Sequence, residues 1–451
     1  MMYTSKTQRR RAAVAATALA TAVFTAACSN TMGSAGSGST AASDSGSLFG
    51  GTAVTGVTLT LWHNTADPQA LLDLYKAYEK ASGNTIQLVD IPASTFPTTV
   101  QTKWATGARP DLLEWHGNRT DLLSLNGSQT MVDLSSMAFV AKEGQLATLS
   151  GSLGGKTYAA TIGMPTVFGL FYNKSVLAKA GLSVPKTYAD LAADCTVLKA
   201  KAPGVTPLYE AGASGWPQQV LSSFDYVAQY NAGNAYASSI LAGKARLNDS
   251  SGPLVTGLQA YSALKSAGCF NSDAATGTWE TSLKEVLSGK AAMVANGSDS
   301  IPMLDADANG DTAAVDSAVG FTGVSATSAV AGYAPSPLGT YYVPRTGDTN
   351  KERAAIQFID YVTGAGYGAY IKAAGTIPTL SGTATPTMQG LMQEVDKAYK
   401  SGATLTWNSQ VPGSGNFGPE SGKLLAGQES AQAVADKIQA YYTQASAAAG
   451  N

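Results

Sequence analysis

Asp305, Asp307, Asn309 and Asp311 alternate along the chain, with Gly310 between the last two and Asp316 at the twelfth position counted from Asp305. Alternating oxygen donors, a glycine that allows a sharp bend and an acidic closing residue are the chemistry of a calcium loop. Asp316 stands where a longer glutamate is usual, which shortens its reach and weakens the expected site. The same stretch also reads as a polar loop joining a helix to a strand, because Val319-Gly320-Phe321 looks like a strand. No other cofactor is called for. Cys195 and Cys269 lack metal-ligand spacing, and two histidines in the whole chain argue against zinc. Outside the cytoplasm that pair either forms a disulfide or remains two buried thiols, and the sequence leaves both open. No Ser-based nucleophile elbow, H-E-x-x-H or P-loop occurs. Gly413-x-Gly415-x-x-Gly418 lies in a Gly/Pro loop without a βαβ context, so it makes a poor dinucleotide site. Paired carboxylates for glycoside hydrolysis need not be close in sequence, so an exported carbohydrate-active enzyme stays an alternative.

The third cysteine has a different setting. Lys6, Arg9, Arg10 and Arg11 precede an uncharged apolar stretch, Ala12 to Phe24, too short for a permanent span. It ends in Thr25-Ala26-Ala27-Cys28, small residues before a cysteine. This is the pattern of a cleavable export signal, residues 1–27, with Cys28 as the lipid-bearing residue. Thr25 departs from the leucine usual there, and an ordinary secretory signal with an incidental cysteine is the plainer alternative. Residues 28–52, rich in Ser, Gly, Ala and Thr, read as a flexible tether. Loss of the signal lowers Lys plus Arg from 29 to 25 against 31 Asp plus Glu. A mildly acidic body without a basic run is a poor nucleic-acid partner. The expected place is the extracellular face of the membrane, held by lipid, as a monomer.

Elements that could position a site follow. Val57, Leu59 and Leu61 alternate with polar residues as a strand. Asp67-Pro68 reads as a cap and first residue of a helix through Leu71, Leu74, Tyr75 and Tyr78, stopped by Gly83. Thr85 to Ile91 reads as a strand, Thr98 to Thr106 as a helix and Pro110 to Trp115 as a strand. That alternation predicts an α/β sheet, whose ligands lie beyond the carboxyl ends of the strands. Those ends carry Trp62-His63-Asn64 and Trp115-His116-Gly117-Asn118-Arg119. Further helices are predicted over Tyr188–Ala200, Gln218–Tyr230, Pro253–Ala267 and Thr281–Leu287. Lys290–Ala295 reads as a buried strand. Thr349 with Glu352 reads as a capping box, and Gln428–Gln444 as a long terminal helix.

Five groups of residues, in order, carry a resemblance. They are Gly107-Ala108-Arg109-Pro110-Asp111, Phe171-Tyr172-Asn173-Lys174 with Pro185-Lys186-Thr187-Tyr188, Gly289-Lys290-Ala291-Ala292-Met293 with Asn296-Gly297, Ala354 to Tyr361, and Gly375-Thr376-Ile377-Pro378. From about Val57 onward the chain resembles extracellular solute-binding protein family 1, the sugar-binding subunits of ATP-driven importers. The resemblance implies a two-lobed α/β fold like that of periplasmic binding proteins, with the ligand cleft between lobes joined by hinge strands. Lobe one would be residues 53–166 plus 340–380, and lobe two residues 167–339 plus 381–451. Gly163-Met164-Pro165 and Leu338-Gly339-Thr340 would lie near the hinge. The implied partners are a sugar or oligosaccharide and the membrane permease subunits; a non-sugar solute is an alternative.

The resemblance also implies site residues. Trp115, Asn118 and Arg119 fall where relatives place an aromatic and an acidic–basic pair on the sugar, Asn118 replacing an Asp. Core packing is the alternative for Trp115. Asn64, at the end of the first strand, would hydrogen-bond hydroxyls, with His63 beside it. Asp299 stands where many relatives carry a stacking Trp, and a carboxylate there accepts hydroxyl hydrogen bonds instead. Trp216, Trp279, Phe168 and Phe417 are the replacement platforms.

Overall fold

The computed structural model describes residues 52–92, 95–223, 235–336 and 338–448. The signal segment, Cys28, nearly all of the tether and residues 224–230 of the predicted helix Gln218–Tyr230 lie outside them. Among the described residues no helix is long and apolar enough to cross a membrane.

The first sheet starts as the alternation predicts. Strand β1 (Thr58–Asn64) leads into helix α1 (Gln69–Ser82), β2 (Thr85–Ile91), α2 (Phe96–Ala105), β3 (Leu112–Glu114) and α3 (Arg119–Ser124). A short hairpin, β4 (Ser152–Leu153) and β5 (Lys156–Thr157), precedes β6 (Ala159–Thr161). β1 pairs in parallel with β2 and β3, Leu61 facing Leu88 and Leu112. Successive side chains on a strand point to opposite faces. Leu61, Leu112, Ala160 and Tyr341 therefore join one apolar cluster with α1, while Trp62, Leu113, Ala159 and Tyr342 join another with α2.

The second sheet has order β13-β11-β7-β9-β8, with β10 also on β7. Its strands are β7 (Thr166–Asn173), β8 (Thr206–Tyr209), β9 (Ala291–Gly297), β10 (Val319–Thr322), β11 (Gly332–Ala334) and β13 (Thr404–Leu405). β12 (Thr340–Tyr342) returns to the first sheet, antiparallel to β3 and β6. β9 is buried at every position, as a central strand covered on both faces must be. Buried residues of α4 (Tyr188–Lys201) and α5 (Pro253–Ser266) share one apolar cluster with it, and those of α6 (Trp279–Leu287) share another. Helix α7 (Thr349–Thr363) packs on the first sheet, and α8 (Gly390–Lys400), α9 (Phe417–Ala426) and α10 (Ala431–Ala448) pack on the second. Cys195 of α4 and Cys269, just beyond α5, form a disulfide.

The chain passes between the sheets at residues 162–165, at 335–336 with 338–339, and after Leu380. The first two passages lie backbone against backbone: Ile162 N and Gly163 N both donate to Gly339 O at 2.8 and 3.2 Å. A Cβ on Gly163 would sit 2.0 Å from the Leu338 carbonyl oxygen, and Gly339 has φ +76°, so neither position accepts a side chain.

Three local expectations are corrected. Asp67 does not cap α1; Pro68 occupies that position, while the Asp67 carboxylate accepts from Tyr75 and meets the His63 ring. Asp348 rather than Thr349 caps α7, and Glu352 reaches further back, to the N–H groups of Thr346 and Gly347. The terminal helix is shifted to Ala431–Ala448 because Gly427 ends the separate helix α9.

Candidate functional site

On lobe one the loops after β1 and β3 carry the candidates. His63 is buried, with Nδ1 3.1 Å from Asp67 and Nε2 2.8 Å from Asp90. Burial disfavours its charge, but the hydrogen bonds to the two carboxylates prevail and raise its pKa. Both ring nitrogens are thus engaged inside the lobe, against the expected ligand contact. Asn64 is similarly turned inward: its side chain accepts from Ala66 N, and its backbone N–H donates to Glu114 at 2.9 Å. Trp115 is fully buried, its ring 5.8 Å from Phe96 and 4.8 Å from His116. That is core packing, not a platform, because the strand register turns the indole onto the α2 face of the sheet. Asn118 caps α3, accepting from Asp121 N at 2.8 Å and donating to the Asp121 carboxylate at 2.6 Å. Arg119 differs. Half-buried, it has no hydrogen-bond or ion-pair partner among the described residues, and its Nε is enclosed without an acceptor. Burial lowers its pKa, and the nearby Tyr442 hydroxyl opposes that shift.

Lobe two faces this with the start of β7 and the end of β9. Phe168 pairs in register with Gly297, and a Cβ there would meet Asp299, Thr166 and Phe168. Asp299 is reached by solvent yet hemmed in by protein, and that desolvation pushes its carboxyl up to about 6. Trp279 donates from Nε1 to Ser300, which donates to Asn296 Oδ1 at 2.9 Å. The Asn296 amide nitrogen is buried with no acceptor. Trp216 stands edge-on to Trp279, ring centroids 5.6 Å apart, both half-buried. Across the lobes, Thr120 donates to the Val411 carbonyl at 3.4 Å, beside Gln410, whose Nε2 is also buried without an acceptor.

The family model described as bacterial extracellular solute-binding protein matches residues 62–369. This chain belongs to that family. Its fold is similar to that of a chitin oligosaccharide binding protein, at 20% identity and TM-score 0.68 over 87% of this chain and 99% of that one. It is similar to RafE in complex with raffinose, at 16% identity and TM-score 0.67 over 86% and 99%. It is also similar to a family 1 extracellular solute-binding protein from Bifidobacterium longum subsp. infantis, at 18% identity and TM-score 0.67 over 87% and 100%. No curated protein matches the sequence significantly.

In a solute-binding protein the passages between lobes are where hinge closure occurs. Here Glu114 ties one passage to the cleft loop, accepting from Gly339 N at 2.7 Å and from Asn64 N at 2.9 Å. Burial and the neighbouring Asp67 charge raise its pKa well above the ordinary carboxyl value. His63, Asp67 and Glu114 bring ligand atoms within 4.8 Å of one another, but each is already held by hydrogen bonds. Phe417 is buried against Trp407, ring centroids 5.5 Å apart, and offers no platform.

The five expected calcium ligands do not converge. Asp305 and Asp307 lie on one helix, where residues two apart point roughly 200° away from each other. Asp305 accepts from Gln389, and Asp307 pairs with Lys284. Asn309 has φ +57°, a turn conformation, while Asp311 caps the helix Thr312–Ala318. The Asp316 carboxylate accepts from Gly390 N and Leu391 N, capping α8. Sequence reasoning missed Asn296 as a donor, and Gln410 and Thr120 altogether. Asn296 stood in the quoted motif, but nothing local tells which amide nitrogen lacks an acceptor.

Proposed function

We propose that this protein captures a sugar between its lobes and delivers it to the membrane subunits of an importer, held at the cell surface by lipid on Cys28. The observation that carries capture is three enclosed donors without protein acceptors near the passage between lobes: Arg119 Nε on lobe one, and Asn296 Nδ2 and Gln410 Nε2 on lobe two. Buried donors are nearly always paired, and one left unpaired costs about 1–3 kcal/mol. Sugar hydroxyl and ring oxygens are the acceptors that complete them. Phe168, Trp216 and Trp279 supply the apolar surface that the C–H face of a pyranose prefers. Raffinose and chitin oligosaccharides are the ligands of two proteins of similar fold.

Asp299 serves here as an acceptor for ligand hydroxyls, not as half of a catalytic pair. Glycoside hydrolysis needs two carboxyl groups flanking the bond, and Glu114 is sealed behind the β3 loop. The arginine-rich start of the chain and the small residues before Cys28 support export and anchoring, in keeping with an extracellular family.

A thermal-shift screen against mono- and oligosaccharides, with amino acids and metal ions as controls, tests the reading. A ligand that binds only the folded state raises the melting temperature by mass action. A shift confined to sugars is the expected result. A shift with an amino acid or a metal ion and none with any sugar would overturn it.

A further inference from the structure

Glu114 spends one oxygen on the cleft loop, at Asn64 N, and the other on the lobe passage, at Gly339 N. Gly339 O in turn accepts from Ile162 N and Gly163 N of the other passage. A second carboxyl stands against the first. Asp67 and Glu114 lie within hydrogen-bonding reach of each other, although ionised carboxylates can only accept. Asp67 Oδ1 is also enclosed with no donor, while Oδ2 meets Tyr75 and His63 Nδ1. The pair is sealed: Glu114 is 0% exposed and the Asp67 side chain 1%. Facing it are His63 of β1, Tyr75 of α1, Tyr341 of β12 and Tyr370 of the helix Tyr367–Ala374. Burial pushes the three phenols up, so they stay neutral and bring no countercharge. His63 leads outward: Nδ1 meets Asp67, and Nε2 meets Asp90, whose side chain is 73% exposed.

Two like charges in contact inside a sealed site repel strongly, and a proton held between them removes the repulsion and supplies a donor. We propose that Asp67 and Glu114 share a single proton, exchanged with solvent through His63 and Asp90, and that this proton clamps the loop after β1 to the lobe passage at Gly339. With the proton in place, Asp67, Glu114 and the N–H groups of Asn64 and Gly339 form one hydrogen-bonded run from cleft loop to passage. The proton leaves along the same side chains. His63 takes it at Nδ1 and releases one from Nε2 to Asp90 and then to water, which leaves the other imidazole tautomer. Two facing charges then remain, and the Asp67 loop is pushed away from Glu114. Burial, then the Asp67 charge and hydrogen bond, hold the Glu114 carboxyl well above its ordinary value. The clamp is therefore complete below that ordinary value and is lost as pH rises through the raised one. It does not depend on which solute the cleft takes.

The test is hydrogen–deuterium exchange of the purified protein, read by mass spectrometry from about pH 6 to about pH 9 and corrected for the intrinsic rate at each pH. Protection of the peptides that carry Asn64 and Gly339 should fall at least about tenfold over that range, while the peptide that carries β9 keeps its protection. Asp67→Asn gives Glu114 a permanent N–H donor and should hold the protection level across the range. Wild-type protection at Gly339 that stays flat with pH overturns the inference, whether or not the variant folds. So does a loss with pH that persists in a folded Asp67→Asn. A stoichiometric divalent metal ion retained by the purified protein and absent from Asp67→Asn also overturns it, because an ion would then stand where the proton is assigned.

Discussion

At the scale of single residues, donors that lack an acceptor separate from aromatics that merely look like sugar platforms. Trp115→Ala should behave as a core deletion, destabilising the fold by about 3–5 kcal/mol in a denaturant titration. Asn296→Ala and Arg119→Met should each weaken sugar binding about tenfold with little change in melting temperature. A Trp115→Ala protein of unchanged stability that had lost its affinity would restore Trp115 as a platform. The buried carboxyls give a pH signature. Burial pushes Glu143 and Glu210 up to about 8, Glu210 despite the hydrogen bond from Tyr261. In the unfolded chain a glutamate loses its proton near its ordinary value of 4.5. Between those values the native state therefore holds more protons, and stability falls as pH rises. The stabilising contribution is complete below the ordinary value and is lost through about pH 8. Melting temperature should drop from about pH 5 to about pH 9, with a shallower slope in Glu143→Gln and Glu210→Gln. A melting temperature that climbs over that range would contradict neutral carboxyls at these positions.

At the scale of elements, the two glycine passages and the disulfide carry the strongest constraints. Gly163→Ala brings a methyl group against the Leu338 carbonyl, so the passage must shift or the fold weaken. Such backbone conflicts typically cost about 1–3 kcal/mol, read as an earlier denaturant midpoint. Breaking Cys195–Cys269, which closes a separation of 74 residues, should cost about 2–5 kcal/mol, seen as a lower midpoint under reductant or in Cys195→Ala. Much of the first sheet was legible because α1 and α2 each bury a face at helical spacing, and Leu59 and Leu61 alternate with less buried residues at the start of β1. The second sheet was not. β7 gathers β9, β10 and β11 from more than a hundred residues downstream, and no local pattern encodes that order. The aspartate-rich stretch misled for a related reason. Its spacing fits a calcium loop only if the backbone is a loop, and Ile301–Asp307 is a helix. Trp115 was ambiguous because the register of β3 decides which face its ring meets, and register is a property of the sheet.

At the scale of the molecule, two α/β lobes joined by passages fit a receptor that closes on its ligand, and export with a lipid anchor would keep it beside its importer. Cys28→Ala should move the protein from the membrane fraction to the medium without changing sugar affinity; retention of that variant in the membrane fraction would refute the anchor. The most direct measurement of the central claim is calorimetric titration of the purified protein with a panel of sugars, amino acids and metal ions. Saturable one-to-one heat from a single sugar series, weakened about tenfold by Asn296→Ala, is the expected result. Saturable heat from an amino acid or a metal ion, with none from any sugar, would contradict it.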